Sequence, residues 1–239
     1  HVPACFGEPH GVATVAGAEV ERRAVTESAM QAGARKVHII EEPMAAAIGI
    51  RLPIKEPVGS MIIDIGGGTT DIAVISLSGV VQAKSLKLAG DTMNSDIILY
   101  LKNEFKLLVG EKTAEEIKIA LGSAGPGDKV ETKVKGRDLI TGLPREIMIT
   151  DTDIRHAIAS SVTAVVDAVR EVLETTPPEI VSDIMNRGMY VAGGGAMITD
   201  TLSDSLSTSV FWISSGWRLI NAPSRASCSL ATLPNRSWR

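Results

Sequence analysis

The sequence predicts an α/β protein with a ligand cleft, and three observations carry that reading. Met61-Ile62-Ile63-Asp64-Ile65-Gly66-Gly67-Gly68-Thr69-Thr70-Asp71 reads as an apolar strand, an acid at its end and a glycine turn with two hydroxyls, and a second strand follows over Ile72 to Leu77. Met189 to Ile198 repeats the theme as an apolar strand, a triple glycine and a helix start. Around these two stretches, strand-like and helix-like periods alternate along the chain. Two glycine-rich strand ends in such a chain predict two loops facing one ligand across a cleft.

Three adjacent glycines let the backbone approach a ligand closely and leave N–H groups pointing outward, as phosphate sites need. Thr69 and Thr70 add hydroxyl donors, and Asp64 is placed to orient a hydrated cation beside phosphates. A plain β-hairpin also favours glycine and needs no ligand. A hairpin alone rarely combines three glycines with an acid on one side and two threonines on the other.

The 239 residues suffice for one large or two modest domains with a real core. Aromatics are 3% of the chain, so Ile, Val, Leu, Ala and Met must fill that core. A net charge of −4 with no Lys/Arg run argues against a nucleic-acid binder. No apolar stretch reaches membrane-spanning length and no signal-peptide pattern is visible. Cys5 and Cys228 lie near opposite ends and outside any CxxC pair, which fits a reducing compartment without a metal site or disulfide framework. His1, His10, His38 and His156 show no ligand spacing and are expected at the solvated surface.

In chain order, Val2 to Ala4 could end a strand, and Cys5 to Gly17, broken by small residues and Pro9, reads as a loop. Ala18 to Gly33 reads as a helix with Gly33 as its C′ glycine, followed by a strand over Lys36 to Ile40. Proline prefers the first helical turn, so a helix starts at Pro43 with Glu42 near its cap. Glu42 there is either a good helix start, held ionised by the helix dipole, or a carboxylate at a strand-to-helix junction that polarises water. Pro53 and Pro57 bracket a linker from Leu52 to Ser60.

After the glycine turn comes a strand near Val80 to Leu88 and a turn at Ala89-Gly90-Asp91. Asp91 or Thr92 could cap a helix bearing Ile97, Ile98, Leu101, Phe105 and Leu108, closed by Gly110. Thr113 to Glu116 has the form of a capping box, with Thr113 as cap and Glu116 reaching back, and its helix stops at Gly122. Capping alone accounts for Glu116. Strands follow at Val130 to Val134 and Arg145 to Ile149, and Thr150 to Asp153 caps a long amphipathic helix with Ile154, Ile158, Val162, Val165, Val166, Val169 and Leu173 inward. Pro177-Pro178 ends that helix, and Ile180 to Met185 is a short one.

From Thr208 the composition changes abruptly. All three tryptophans lie in this tail, its only charges are four arginines, seven serines crowd it, and no period continues from the body. A natural extension is one reading; a coding frame lost near Ser207 is the favoured expectation.

An ordered set of segments now carries a resemblance: Val20-Glu-Arg-Arg-Ala24, Ile40-Glu-Glu-Pro-Met-Ala-Ala-Ala-Ile-Gly49, Asp64-Ile-Gly-Gly-Gly-Thr-Thr70, Ala89-Gly-Asp91, Gly110-Glu-Lys-Thr-Ala-Glu-Glu-Ile-Lys118, Gly142-Leu-Pro144, Thr176-Pro-Pro-Glu179 and Gly193-Gly-Gly-Ala196. Together they resemble the MreB family of bacterial actin-like proteins over about residues 19–207. Asp-Ile-Gly-Gly-Gly-Thr alone would also fit sugar kinases and heat-shock ATPases of the same superfamily. Ile40 to Gly49 with Gly110 to Lys118 favour MreB.

The resemblance implies an actin-like ATPase fold with ribonuclease H-like lobes, the second lobe nearly complete and the first partial. It implies ATP and Mg2+ as cofactors and slow hydrolysis coupled to filament assembly, by positioning and electrostatics rather than covalent catalysis. Asp64, Gly66, Gly67, Gly68, Thr69 and Thr70 resemble the second phosphate loop, with Asp64 holding the metal through water. Glu42 matches the residue that positions the hydrolytic water. Glu115, Glu116 and Lys118 match the segment beside ribose and adenine, and Gly193, Gly194, Gly195 and Ala196 the adenosine loop. No GxxxxGK[ST] pattern is present, which excludes a P-loop as the source of any ATPase.

Implied partners are further copies in filaments, RodZ, MreC and MreD type cell-wall elongation proteins, and the inner membrane surface, with a cytoplasmic location peripheral to that membrane. The expected domain plan is a first-lobe remnant (1–57), second-lobe core (58–111), an inserted smaller subdomain (112–176), a return to the core (177–207) and the tail (208–239). Asn94 stands where the family usually has an acid, and the family's first phosphate loop is expected upstream of this chain, so the expectation is a fragment with weak nucleotide binding and little or no turnover. The competing expectations are a non-catalytic assembly or regulatory module, and another superfamily ATPase such as a chaperone or sugar kinase.

Overall fold

The structure, a computed structural model, describes residues 10–14, 19–122, 130–198, 210–214 and 218–220. Its strands are β1 (His10–Thr14), β2 (Lys36–Ile40), β3 (Ser60–Ile65), β4 (Thr70–Ser76), β5 (Gly79–Leu86), β6 (Leu107–Leu108), β7 (Glu131–Asp138), β8 (Pro144–Thr150), β9 (Met189–Ala192), β10 (Val210–Ser214) and β11 (Arg218–Ile220). Its helices are α1 (Glu19–Gln31), α2 (Glu42–Gly49), α3 (Gly90–Glu104), α4 (Glu111–Leu121), α5 (Asp151–Thr175) and α6 (Pro178–Arg187), with a 3-10 turn at Gly194–Met197.

The central sheet runs β11-β10-β9-β3-β4-β5. β9 lies parallel to β3, whereas β3, β4 and β5 form an antiparallel meander. β3 and β4 are apolar on both faces because both faces are covered. Met61, Ile63, Ile65, Ile72 and Val74 pack on one side with Val165, Val169 and Val172 of α5 and Ile184 of α6. Ile62, Ala73 and Ile75 pack on the other with Ala47 and Leu52 of α2 and the residues just after it. Asp64 and Asp71 belong to this second face by strand alternation. A separate sheet, β6-β7-β8, closes over α3, α4 and the start of α5 through Met93, Ile97, Leu101, Ile117, Ile149 and Ile154. β1 and β2 pair in parallel as a third, two-stranded sheet.

Several boundaries differ from the sequence expectation. Within the expected loop over Cys5 to Gly17, His10–Thr14 is a strand whose partner is β2; the rest of that loop lies outside the described residues. α2 begins at Glu42, one residue before Pro43, with Glu41 as N-cap. α3 ends at Glu104 rather than near Gly110, because Lys106 adopts φ 53 and Leu107–Leu108 leave the helix to pair with β7. α4 starts at Glu111 with extended Gly110 as its N-cap, so Thr113 lies inside the helix and forms no capping box. The box expected at Thr150 is present in full: its hydroxyl accepts from the Asp153 amide while the Asp153 carboxylate accepts from the Thr150 amide. β7 extends to Asp138, α6 spans Pro178–Arg187, and the tail, expected to carry no regular period, holds β10 and β11. Gly33 has the expected positive φ, and His38 and His156 are exposed. Cys5, Cys228, His1 and the tail beyond Ile220 lie outside the described residues.

Candidate functional site

The alternation of β3 and β4 builds the site. Asp64 and Asp71 are cross-strand partners, and the face they share is the one α2 covers. Glu42 is the first residue of α2, so its carboxyl reaches the same end of that face. Burial first, then Asp64 and Asp71, push the Glu42 carboxyl above its ordinary value. Burial first, then Asp71, does the same to Asp64. Among the described residues none of the three carboxylates is paired with a cation. The cluster thus concentrates acidic groups with no cationic partner among the described residues.

The turn beyond Asp64 is fixed from two sides. Gly66 N donates to Thr69 O at 2.9 Å and closes it. The first amides of α3 then hold it: Gly90 N donates to Gly66 O at 3.1 Å and Asp91 N to Gly67 O at 2.8 Å. These carbonyls satisfy orphan donors of the helix N-terminus. Gly90 makes a close approach: a Cβ there would lie 3.3 Å from Gly66 O and 3.1 Å from Lys118 Nζ, tighter than most such contacts. Lys118 Nζ donates to Gly90 O at 3.0 Å; burial lowers its pKa, opposed by Glu115 and Asp91. Gly67 and Gly68 are exposed, and among the described residues no backbone carbonyl accepts from the amides of Gly67, Gly68 or Thr69. Among the described residues, these three N–H groups of the turn have no hydrogen-bond acceptor.

The second glycine loop presses on the first strand end. A Cβ on Gly193, which has φ +87, would lie 2.3 Å from Ile65 O and 2.5 Å from Asp64 Oδ1. One on Gly195 would lie 2.2 Å from Ile65 Cγ2. Nothing lies within 4 Å of the corresponding point on Gly194, which faces open space. Ala196 is buried in the sheet core.

The residues singled out in the sequence therefore separate into groups. Glu42, Asp64, Gly66, Gly67, Gly68, Thr69, Lys118, Gly193 and Gly195 come together around the end of β3. The Thr70 hydroxyl points the other way, fully buried and donating to Leu88 O at 2.6 Å. Glu115 is exposed but near enough to Lys118 to affect it, while Glu116 faces Lys112 at 4.0 Å. Asp71 and Asp91 were not singled out. Asp71 could have been found by counting the hairpin back from its turn, which sets it opposite Asp64. Neither of the expected caps, Asp91 or Thr92, is the N-cap of α3, which is Ala89; the Asp91 carboxylate lies 3.6 Å from a Cβ position on Gly67.

Solved structures of MreB5 of Spiroplasma citri superpose on this fold. The AMPPNP-bound form gives a TM-score of 0.80 at 38% identity, covering 84% of this chain and 62% of that one, and the ADP-bound form 0.81. The architecture is the actin-like ATPase fold. The profile described as MreB/Mbl protein matches residues 8–212, and the chain belongs to that family. It is 51% identical over 185 residues to the cell shape-determining protein MreB of Escherichia coli (strain K12), covering 77% of this chain and 53% of that protein. It is 46% identical over 180 residues to the cell shape-determining protein Mbl of Bacillus subtilis (strain 168), covering 75% and 54%. The chain spans about half the length of the curated relatives it matches. The match extends past both ends of the 19–207 stretch and includes β1 and the start of β10.

Proposed function

We propose that this chain carries the nucleotide-binding wall of an MreB-type cytoskeletal protein that binds and hydrolyses ATP, forms membrane-associated filaments and governs rod cell shape by organising cell-wall synthesis. The observation that carries the proposal is the meeting, at the end of β3, of three turn amides and a carboxylate cluster that have no backbone acceptor and no cation, respectively, among the described residues. Solved relatives that hold AMPPNP and ADP support it.

The donor set fits Mg-ATP. Open space at Gly68 and Gly194 leaves room for a ligand on both glycine loops. Oxygen donors of carboxylates suit a hard divalent cation. In this reading Asp64 would hold the cation through water rather than as a direct ligand. When bound, Mg-ATP supplies the phosphoryl group to be transferred and a cation that spreads its charge.

The chain's own residues would do the rest. The Gly67, Gly68 and Thr69 amides bind phosphate oxygens. Asp64 orients water on the cation. Glu42, with its carboxyl raised by burial, accepts a proton from the attacking water or orients it. Lys118, Glu115 and Glu116 border the ribose and adenine, and Gly193 to Ala196 form the adenosine side. The location is cytoplasmic and peripheral to the inner membrane, with further copies and RodZ, MreC and MreD type proteins as partners. Among the described residues no helix is long and apolar enough to cross a membrane.

Phosphate release by the full 239-residue chain, beside Glu42→Gln, tests the reading. Loss of a positioned acid–base group should lower turnover by about 100-fold or more while leaving ATP binding intact. Equal release by both proteins refutes the role of Glu42, and no release by a folded wild-type chain refutes hydrolysis by this chain.

A further inference from the structure

Among the described residues three carboxylates are buried: Asp71 at 5% exposed, Asp138 at 8% and Asp151 at 4%. Two of them are answered within the chain. Asp138 accepts from the amides of Ile140 and Thr141 and from Arg145, and Asp151 accepts from Arg155 at 2.8 Å. Asp71 differs. Among the described residues nothing donates a hydrogen bond to its carboxylate and no cation pairs with it.

The neighbours of Asp71 make this more costly. It stands directly opposite Asp64 on β3 and Ser85 on β5. Directly opposed residues have Cβ atoms about 4.5–5.5 Å apart, and like charges in that position destabilise a sheet. Lys84, next to Ser85 along β5, belongs to the other face and pairs with Glu171 of α5. Glu42 brings a third acid to the same end of the sheet, and Asp64 acts on it more strongly than Asp71 does. Asp71 therefore belongs with Asp64. A buried carboxylate opposite a second one, with no donor and no cation, is not explained by packing.

What Asp71 lacks is a donor, and a hydrated cation is a set of donors. Mg2+ keeps several of its waters and is typically held by one or two carboxylates together with substrate phosphates. The Asp64–Asp71 pair lies one register step from Ile65 and Thr70, which flank the glycine turn, so it adjoins the turn amides. We propose that Asp71 is a second anchor, beside Asp64, for the water shell of the divalent cation that accompanies the phosphates. This role rests on the Mg-nucleotide reading above. It is a binding role, separate from the handling of the attacking water by Glu42.

The test compares the full wild-type chain with Asp71→Asn and Asp64→Asn, using AMPPNP as the nucleotide. Melting in EDTA without nucleotide is read first by circular dichroism. Asp71→Asn should melt higher than wild type there, because an unpartnered buried charge has been removed. Mg2+ is then titrated at fixed AMPPNP. Losing one charge-assisted hydrogen bond to the cation's water shell should raise the Mg2+ concentration at half-maximal stabilisation about ten-fold in Asp71→Asn, with a rise of the same kind in Asp64→Asn. Calorimetric affinity for AMPPNP in EDTA should be unchanged or tighter in Asp71→Asn, which a general packing defect would not produce. Lower melting of Asp71→Asn in EDTA overturns the proposal, as does equal loss of AMPPNP affinity with and without Mg2+. A raised Mg2+ midpoint in Asp64→Asn alone removes Asp71 from the site and leaves the nucleotide reading standing. A folded wild-type chain that Mg2+ and AMPPNP do not stabilise refutes the nucleotide reading, and the second anchor falls with it.

Discussion

Gly193→Ala tests the contact between the two glycine loops. The residue has φ +87, where a side chain costs about 1–3 kcal/mol. The added methyl would also stand 2.3 Å from Ile65 O and 2.5 Å from Asp64 Oδ1, distances that real Cβ atoms do not show. One of these neighbours is strand backbone and cannot swing away, so relief needs a main-chain shift costing about 1–3 kcal/mol more. The two effects together predict a loss of about 2–6 kcal/mol, with a melting temperature lower by about 2–4 °C for each kcal/mol. Gly194→Ala is the matched control: its φ is not positive, nothing lies within 4 Å, and it should stay within about 0.5 kcal/mol of wild type. Urea unfolding of the three proteins, followed by circular dichroism, reads the difference as a shift in midpoint. If Gly193→Ala unfolds at the wild-type midpoint, the two loops are not packed as described and the argument about the cleft wall collapses.

Other expectations follow from the same structure. Ile63 is fully buried between the sheet and α5, so Ile63→Ala should cost about 2–5 kcal/mol and Ile63→Val about 0.5–1.5, measured in the same urea assay. Thr150→Ala removes the cap of α5 and should cost about 1 kcal/mol, whereas Thr150→Ser should keep most of it; equal loss in both would refute the capping account. Burial and Asp71 hold the folded Asp64 carboxyl above its ordinary 3.8, so its contribution to stability is complete below that value and is lost as pH rises through the folded pKa. Without added divalent cation, Asp64→Asn should therefore melt higher than wild type at about pH 7, with the gap closing as the pH falls. A gap that widens on acidification would show the sign to be wrong.

What the sequence made legible were features decided by neighbours along the chain. The glycine turn, the Pro43 helix start and the Thr150 capping box each depend on a few adjacent residues, and each lies where its pattern put it, to within a residue. Features decided by distant partners were not legible. Leu107 and Leu108 continue the helical period of α3, yet they leave the helix because β7 offers them a ladder. His10–Thr14 shows no strand period, but it pairs with β2. The apolar run Val210–Ser214 is obscured by the composition of the tail around it, yet it pairs in parallel with β9. In the site, Asp64 stood out because it precedes glycines, while Asp71 needed the strand register. Glu42 kept two readings in the sequence, and its position beside two other acids is what favours the chemical one.

We propose the end of β3 as a Mg-nucleotide site, since among the described residues its turn amides have no acceptor and its acids no cation. Calorimetric titration of Mg-ATP into the full chain, beside the same chain with Asp64→Ala, tests it most directly. The wild-type chain should give a saturable isotherm that is lost or weakened at least about ten-fold in the variant, while both proteins melt cooperatively. A flat titration of folded wild-type chain, or an isotherm indifferent to Asp64, would contradict it.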